Sequence, residues 1–266
     1  MSERFLKISE IDDIGVVTLS RAEKRNALDE DAIAEIDTYF TTLPRHLRVI
    51  VLTAEGDHFC AGLDLKEHHD KARDAVAFLR VCQAWHRAFD KIQHGGIPVI
   101  ACMRGAVVGG GLELASAAHI RVGDRSTYFS LPEGTRGIFT GGGATVRTAK
   151  IVSPHRMVEM MLTGRVIDHL EGLRLGLMHY LSTEGDAPCD VDAFGLRLAR
   201  QIARNAPLSN YAIVSSISKI ADMSAHEGLF AEGLMAAVVQ TGDEVQSRLG
   251  DFVHKRAQKV KPAALC

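Results

Sequence analysis

The groups whose type and spacing suit chemistry are two glutamates, each beside a glycine cluster. Glu113 follows Gly109, Gly110 and Gly111 in the stretch VVGGGLELASAAH. Glu133 lies further on, in LPEGTRGIFTGGG, just ahead of Gly141, Gly142 and Gly143. The first N–H groups of a helix have no internal partner and carry the positive end of its dipole. Where glycine removes the side chain, a ligand oxygen can approach those donors, which makes an anion or oxyanion site. Close packing of a helix on a strand selects the same small residues, so the glycines alone leave both readings open. Two carboxylates beside such donors can divide the work of acid and base. A third small-residue turn, Cys60-Ala61-Gly62-Leu63-Asp64, offers a further backbone N–H, although singly it reads as an ordinary strand-to-helix loop.

The elements that must carry these groups are legible in outline. FLKISEIDDIGVVTLS reads as two short strands joined at Asp12-Asp13. NALDEDAIAEIDTYF reads as a helix capped by Asp29, with Ile33, Ile36 and Phe40 at helical spacing. RVIVLTAEG and PVIACMRG are apolar runs of the kind found in strands buried on both faces. A polar-apolar helical stretch over about 69–93 separates them. A helix from Gly110, strands at HIRVG and TYFSLPE, and a helix through GGGATVRTAKIV follow. Strands alternating with helices predict an α/β architecture. Past about residue 190 the pattern is helical only, over 191–205, 207–222, 224–240 and 243–258. The expected division is therefore a core of residues 1–195 and a helical subdomain of 196–266.

Composition narrows the function classes. The 266 residues carry 31 Lys+Arg against 33 Asp+Glu, a net charge of −2, with no long block of one sign, so neither nucleic acid nor a membrane surface is an expected partner. The five cysteines are scattered without a CxxC, which fits reduced thiols. MSERFLK has charges where a signal peptide would be apolar, and no run approaches a spanning length, so a cytoplasmic protein is expected. Neither HExxH nor GxSxG occurs, and a metal site is not expected at His68-His69 or at Cys82 with His86. Cys60 reads as a small buried residue and not as a nucleophile, because no histidine has an argued place beside it.

Taken as an ordered set, the motifs EKRNAL (23–28), HFCAGLDLKE (58–67), GAVVGGGLELASAAHIRVG (105–123), LPEGTRGIFTGGGATVR (131–147) and the tail FVHKR (252–256) resemble the crotonase, or enoyl-CoA hydratase/isomerase, superfamily from end to end. The resemblance implies a spiral of ββα repeats with a C-terminal helical region that builds trimers or hexamers. It implies an acyl-CoA substrate whose thioester oxygen accepts the N–H groups of Leu63 and Gly110. It implies that Glu113 takes a proton from water attacking the β-carbon, that Glu133 supplies one to the α-carbon, and that the Gly141 N–H fixes that water. Arg25, Ala61 and Lys66 fall on positions that contact CoA. No cofactor is implied, CoA being part of the substrate. Presence of both glutamates favours hydration over isomerisation or a hydratase-lyase reaction. Some relatives bind RNA, which the balanced charge argues against.

The chain departs from the hydratase pattern beside the expected acyl pocket. Phe139-Thr140 stand where the pattern has a proline at the second position, its later glutamine is missing, and Leu131 occupies a common glutamine position. These departures put the acyl group in question more than the oxyanion logic.

Overall fold

The computed structural model describes residues 4–184 and 187–256. Strands β1 (Leu6–Ile11) and β2 (Ile14–Leu19) form the expected hairpin, with Asp12 in the left-handed region at φ +56°. Asp29 caps helix α1 (Glu30–Thr41), its carboxylate accepting the Ala32 N–H at 2.8 Å. Every residue of β3 (Val49–Ala54) is buried, because β3 runs between β2 and β4 (Val99–Met103) with helices over both faces. Strand β5 (Ala106–Val108), helix α4 (Gly110–Ala117), strand β6 (Ile120–Gly123) and strand β7 (Tyr128–Ser130) follow. The main sheet has the order β1-β2-β3-β4-β6-β8, with β8 at Tyr180–Leu181, and every neighbouring pair after the first is parallel. Strand β5 leaves this sheet and pairs with β7 instead.

The helical stretch expected over 69–93 is two helices, α2 (Leu65–Lys71) and α3 (Ala75–His94). Ala72 sits at φ +35°, and Asp74 starts the second helix by accepting the Ala77 N–H at 2.7 Å. The helix expected through GGGATVRTAKIV begins only at Arg147, as α5 (Arg147–Val152), because Gly143 stands at φ +105°, outside helical backbone. Helices α6 (Pro154–Thr163) and α7 (His169–Leu175) complete this region.

Residue 195, where the sequence draws its division, lies inside α8 (Val191–Ala203). The buried face of that helix, Val191 and Ala199, packs on Val49, Val51, Ile100 and Cys102 of the sheet and closes a second apolar core. Helices α9 (Pro207–Ile220), α10 (Ala225–Val239) and α11 (Val245–Val253) lie beyond it. Leu229, Phe230, Leu234 and Val238 of α10 are exposed. Residues 257–266 of the expected subdomain, including Cys266, lie outside the described residues. Among the described residues no helix is long and apolar enough to cross a membrane.

A Cβ at Gly195 would collide with the Cys102 sulfur, so the close approach of α8 to β4 depends on that glycine. Gly195→Ala is expected to lower stability by about 1–3 kcal/mol through overpacking, seen as a lower urea midpoint at unchanged slope.

Candidate active site

The turn at 60–64 is held between two other segments. On one side Cys60 N donates to Ala106 O at 2.9 Å, and Val108 N donates to Cys60 O at 3.1 Å, which ties the turn to β5. On the other, Ala61 N donates to Arg25 O, Leu28 N to Gly62 O and Asp64 N to Leu28 O, at 2.8–2.9 Å. The 25–28 segment is itself anchored by the fully buried Asn26. Its side chain accepts the Arg21 N–H and donates to the carbonyls of Glu55 and His58. Asp64 then starts α2 by accepting the N–H groups of Lys66 and Glu67, and takes Lys24 as an ion-pair partner at 2.9 Å.

These bonds set Leu63 beside the start of α4. An ideal Cβ on Gly110 would lie 3.3 Å from Leu63 N, and one on Gly62 would lie 3.0 Å from Gly110 N. Neither the Leu63 nor the Gly110 N–H finds an acceptor among the described residues. The three glycines have separate reasons to be glycine. Gly109 adopts φ +52° and ψ −122°, which a side chain disfavours. At Gly110 a Cβ would strike the Trp85 ring at 2.6 Å, and at Gly111 it would strike the Cys60 carbonyl. Close packing, one of the two readings left open by the sequence, thus accounts for Gly110 and Gly111, and backbone conformation for Gly109.

Glu113 and Glu133 line one cleft with Leu63 and Gly110. The cleft is narrow, about 50 Å³, and Phe78, Val81, Trp85, Ile138 and Phe139 supply its apolar wall. Glu113, 3% exposed, is clamped through one oxygen: Oε1 accepts the Gly142 N–H at 2.8 Å, the Ala144 N–H at 3.0 Å and the Thr140 hydroxyl. Oε2 makes no hydrogen bond among the described residues and is left as the available acceptor. Thr140, Gly142 and Ala144 have no place in the sequence-based site, although Thr140 marks one of its departures. Gly141 lines the same cleft, and a Cβ there would meet the Cys82 sulfur at 2.8 Å.

Glu133 has the opposite surroundings. It is 5% exposed, and its Oε2 is buried without a hydrogen-bond partner. Burial pushes its carboxyl up to about 7; its own backbone N–H opposes the rise and the nearby Glu113 adds to it. Burial likewise raises the Cys60 thiol to about 12, and that thiol donates to Asn26 O at 3.0 Å. The Cys82 thiol on the cleft wall is also raised, by burial and then by Glu113.

The residues expected to meet CoA lie around the same turn. Arg25 and Ala61 share a backbone hydrogen bond, while Lys66 is exposed in the first turn of α2 and pairs with Asp70 at 2.6 Å.

Comparison with known proteins points the same way. Residues 10–261 match the family described as enoyl-CoA hydratase/isomerase. The chain is 30% identical over 259 residues to a mevalonyl-coenzyme A hydratase of Aspergillus fumigatus, covering 94% of this chain and 92% of that one. An enoyl-CoA isomerase/hydratase of Penicillium crustosum is 32% identical over 221 residues, which is 77% of this chain and 25% of that longer protein. A solved structure from Rhodopseudomonas palustris, provisionally named an enoyl-CoA hydratase, matches with a TM-score of 0.88 at 43% identity, covering 95% of each chain.

The buried Glu133 has a consequence for stability. Its carboxyl is raised from 4.5 to about 7. Its contribution is therefore complete below pH 4.5, where folded and unfolded chains both hold the proton, and is lost as pH rises to about 7. The full loss is about 3 kcal/mol. Unfolding of wild type and Glu133→Gln in urea, compared from pH 4 to 8, should show wild type losing ground to the variant across that window. A difference that stays flat with pH contradicts the assignment.

Proposed function

The chain belongs to the enoyl-CoA hydratase/isomerase family, and within it we propose a hydratase that adds water across the double bond of an α,β-unsaturated acyl-CoA. The observation that carries this reading is the pairing, in one cleft, of a carboxylate with a single available oxygen and a carboxyl that keeps its proton near neutral pH. The thioester oxygen accepts the N–H groups of Leu63 and Gly110, which stabilise the negative charge it gathers as water attacks the β-carbon. A single donor of this kind is worth about 2.7–4 kcal/mol in the transition state. Glu113 Oε2 takes a proton from that water, Gly141 helps to hold it, and Glu133 delivers a proton to the α-carbon. Product formation leaves Glu113 protonated and Glu133 ionised, and a return of the proton resets the pair. Arg25, Ala61 and Lys66 hold CoA at the mouth.

The reaction calls for no cofactor, since the backbone supplies the electrophile and CoA arrives with the substrate. We assign the enzyme to the cytoplasm, in a crotonase-like spiral of ββα repeats. The exposed apolar residues of α10 support assembly into a trimer or hexamer through the C-terminal helices.

Crotonyl-CoA and longer or aryl enoyl-CoA esters, followed by loss of the conjugated thioester absorbance and by mass spectrometry for products heavier by one water, test the reading. Silence across the panel rejects it. Glu113→Gln and Glu133→Gln should each cut kcat by a factor of about 10² to 10⁴. Full activity of Glu113→Gln in shifting a 3-enoyl-CoA to its 2-enoyl isomer, with Glu133→Gln inactive, identifies an isomerase instead. Because Glu133 must hold its proton to act as acid, kcat/KM should fall as pH rises above about 7. Thr140→Val removes one charge-assisted hydrogen bond from Glu113, worth about 1.5–3 kcal/mol. It should lower kcat roughly 10- to 100-fold, with the KM for crotonyl-CoA little changed.

A further inference from the structure

Behind the wall of the cleft formed by Cys82, Thr140 and Gly141 lies a second, open cavity of about 570 Å³, and those three residues line both spaces. The partition is thin: a missing glycine side chain faces a single thiol. The chemistry on its two sides differs sharply. The cleft wall is mostly aliphatic and aromatic, whereas the cavity is lined by the cations Arg87, Arg147, Lys150 and Lys219 against the carboxylates Asp90 and Asp222.

The charges there do not cancel. Lys150 pairs with Asp222, and Arg147 approaches Asp90 at 3.8 Å. Arg87 and Lys219 have no ion-pair partner among the described residues. His94, also on this wall, has its pKa lowered by burial first, and Lys219, Arg147 and Lys150 lower it further against the opposing pull of Asp90. The field in the cavity is therefore positive. A surplus of cations on one wall matches an anionic group carrying several acceptor oxygens.

Arg147 ties this cavity to the reacting end of the substrate. Its Nε donates to Gln93 Oε1 at 2.6 Å and its Nη1 to Gly142 O at 3.3 Å, while the N–H of the same Gly142 donates to Glu113. One turn thus presents N–H groups to the cleft and a carbonyl to the guanidinium behind it.

We propose that the cavity beyond Cys82 and Gly141 receives the far end of the acyl group, and that this end is a carboxylate: the preferred substrates are enoyl-CoA monothioesters of dicarboxylic acids. The assignment rests on the acyl-CoA reading above and adds the identity of the tail. The tail passes beside the Gly141 backbone, and its carboxylate is held by Arg87 and Lys219.

The test compares 2-enoyl-CoA monothioesters of five-, six- and eight-carbon dicarboxylic acids with methyl-ended 2-enoyl-CoA esters of equal length. At least one dicarboxylic ester should show kcat/KM ten-fold or more above its methyl-ended match. The double variant Arg87→Met/Lys219→Met should erase that gap while hydrating the methyl-ended esters as wild type does. Hydration of the methyl-ended series with no preference for the dicarboxylic one overturns the tail site and leaves the hydratase reading standing. If neither series is hydrated, the hydratase reading fails, and calorimetric titration decides the tail site separately. Ten-fold tighter binding of the dicarboxylic esters, lost in the double variant, upholds it; equal or absent binding of the two series overturns it.

Discussion

The arrangement depends on a main-chain approach that only missing side chains permit. Leu63 N and Gly110 N come together because the 60–64 turn is hydrogen-bonded to β5 on one flank and to residues 25–28 on the other. The same β5 runs directly into the start of α4. Any β-carbon at 62, 110 or 111 would drive these segments apart. Two N–H groups without acceptors are normally a cost in a folded chain. Here both residues line the cleft that holds the two glutamates.

The two carboxylates in that space owe their difference to their neighbours. Glu113 receives three donors from the turn at 140–144, so one oxygen is fixed and the other left for chemistry. Glu133 receives none at Oε2 and holds its proton to a much higher pH than a solvated glutamate. The same residue type thereby occupies two opposite environments in one cleft. Gly143, at φ +105° in the same turn, keeps the helix from running through the glycines, so α5 starts only at Arg147.

Much of this was legible from local sequence, and the limits are physical. The Asp12-Asp13 hairpin, the Asp29 cap, the fully buried β3 and the opening of α4 at Gly110 each follow from residues adjacent in the chain. The motif set also carried the two glutamates and the turn at Leu63 into one site before any coordinates. The break between α2 and α3 was missed, although Asp74 was a visible cap signal, because no glycine or proline marks it and Ala72 takes the left-handed turn. The donors to Glu113 come from 27 to 31 residues away, and Thr140 looked like a defect in a pattern when it is a hydrogen-bond donor. Glu133 has an ordinary sequence context; its raised pKa exists only once the fold has removed it from water. The division after residue 195 followed the end of the strand pattern, whereas α8 continues through it, its buried face closing the far side of the sheet.

The cysteines near the site bear on its durability. The reactant proposed above, a conjugated enoyl thioester, is a soft electrophile, to whose β-carbon a thiolate within reach would add. Cys60, inside the 60–64 turn, is sealed from solvent, donates its proton to a backbone carbonyl and is pushed up to about 12 by burial. Cys82, on the cleft wall, is also raised, by burial first and then by the charge of Glu113. Burial thus disarms both sulfurs, and at Cys82 the neighbouring carboxylate adds to it, so that the proposed reactant meets no thiolate there.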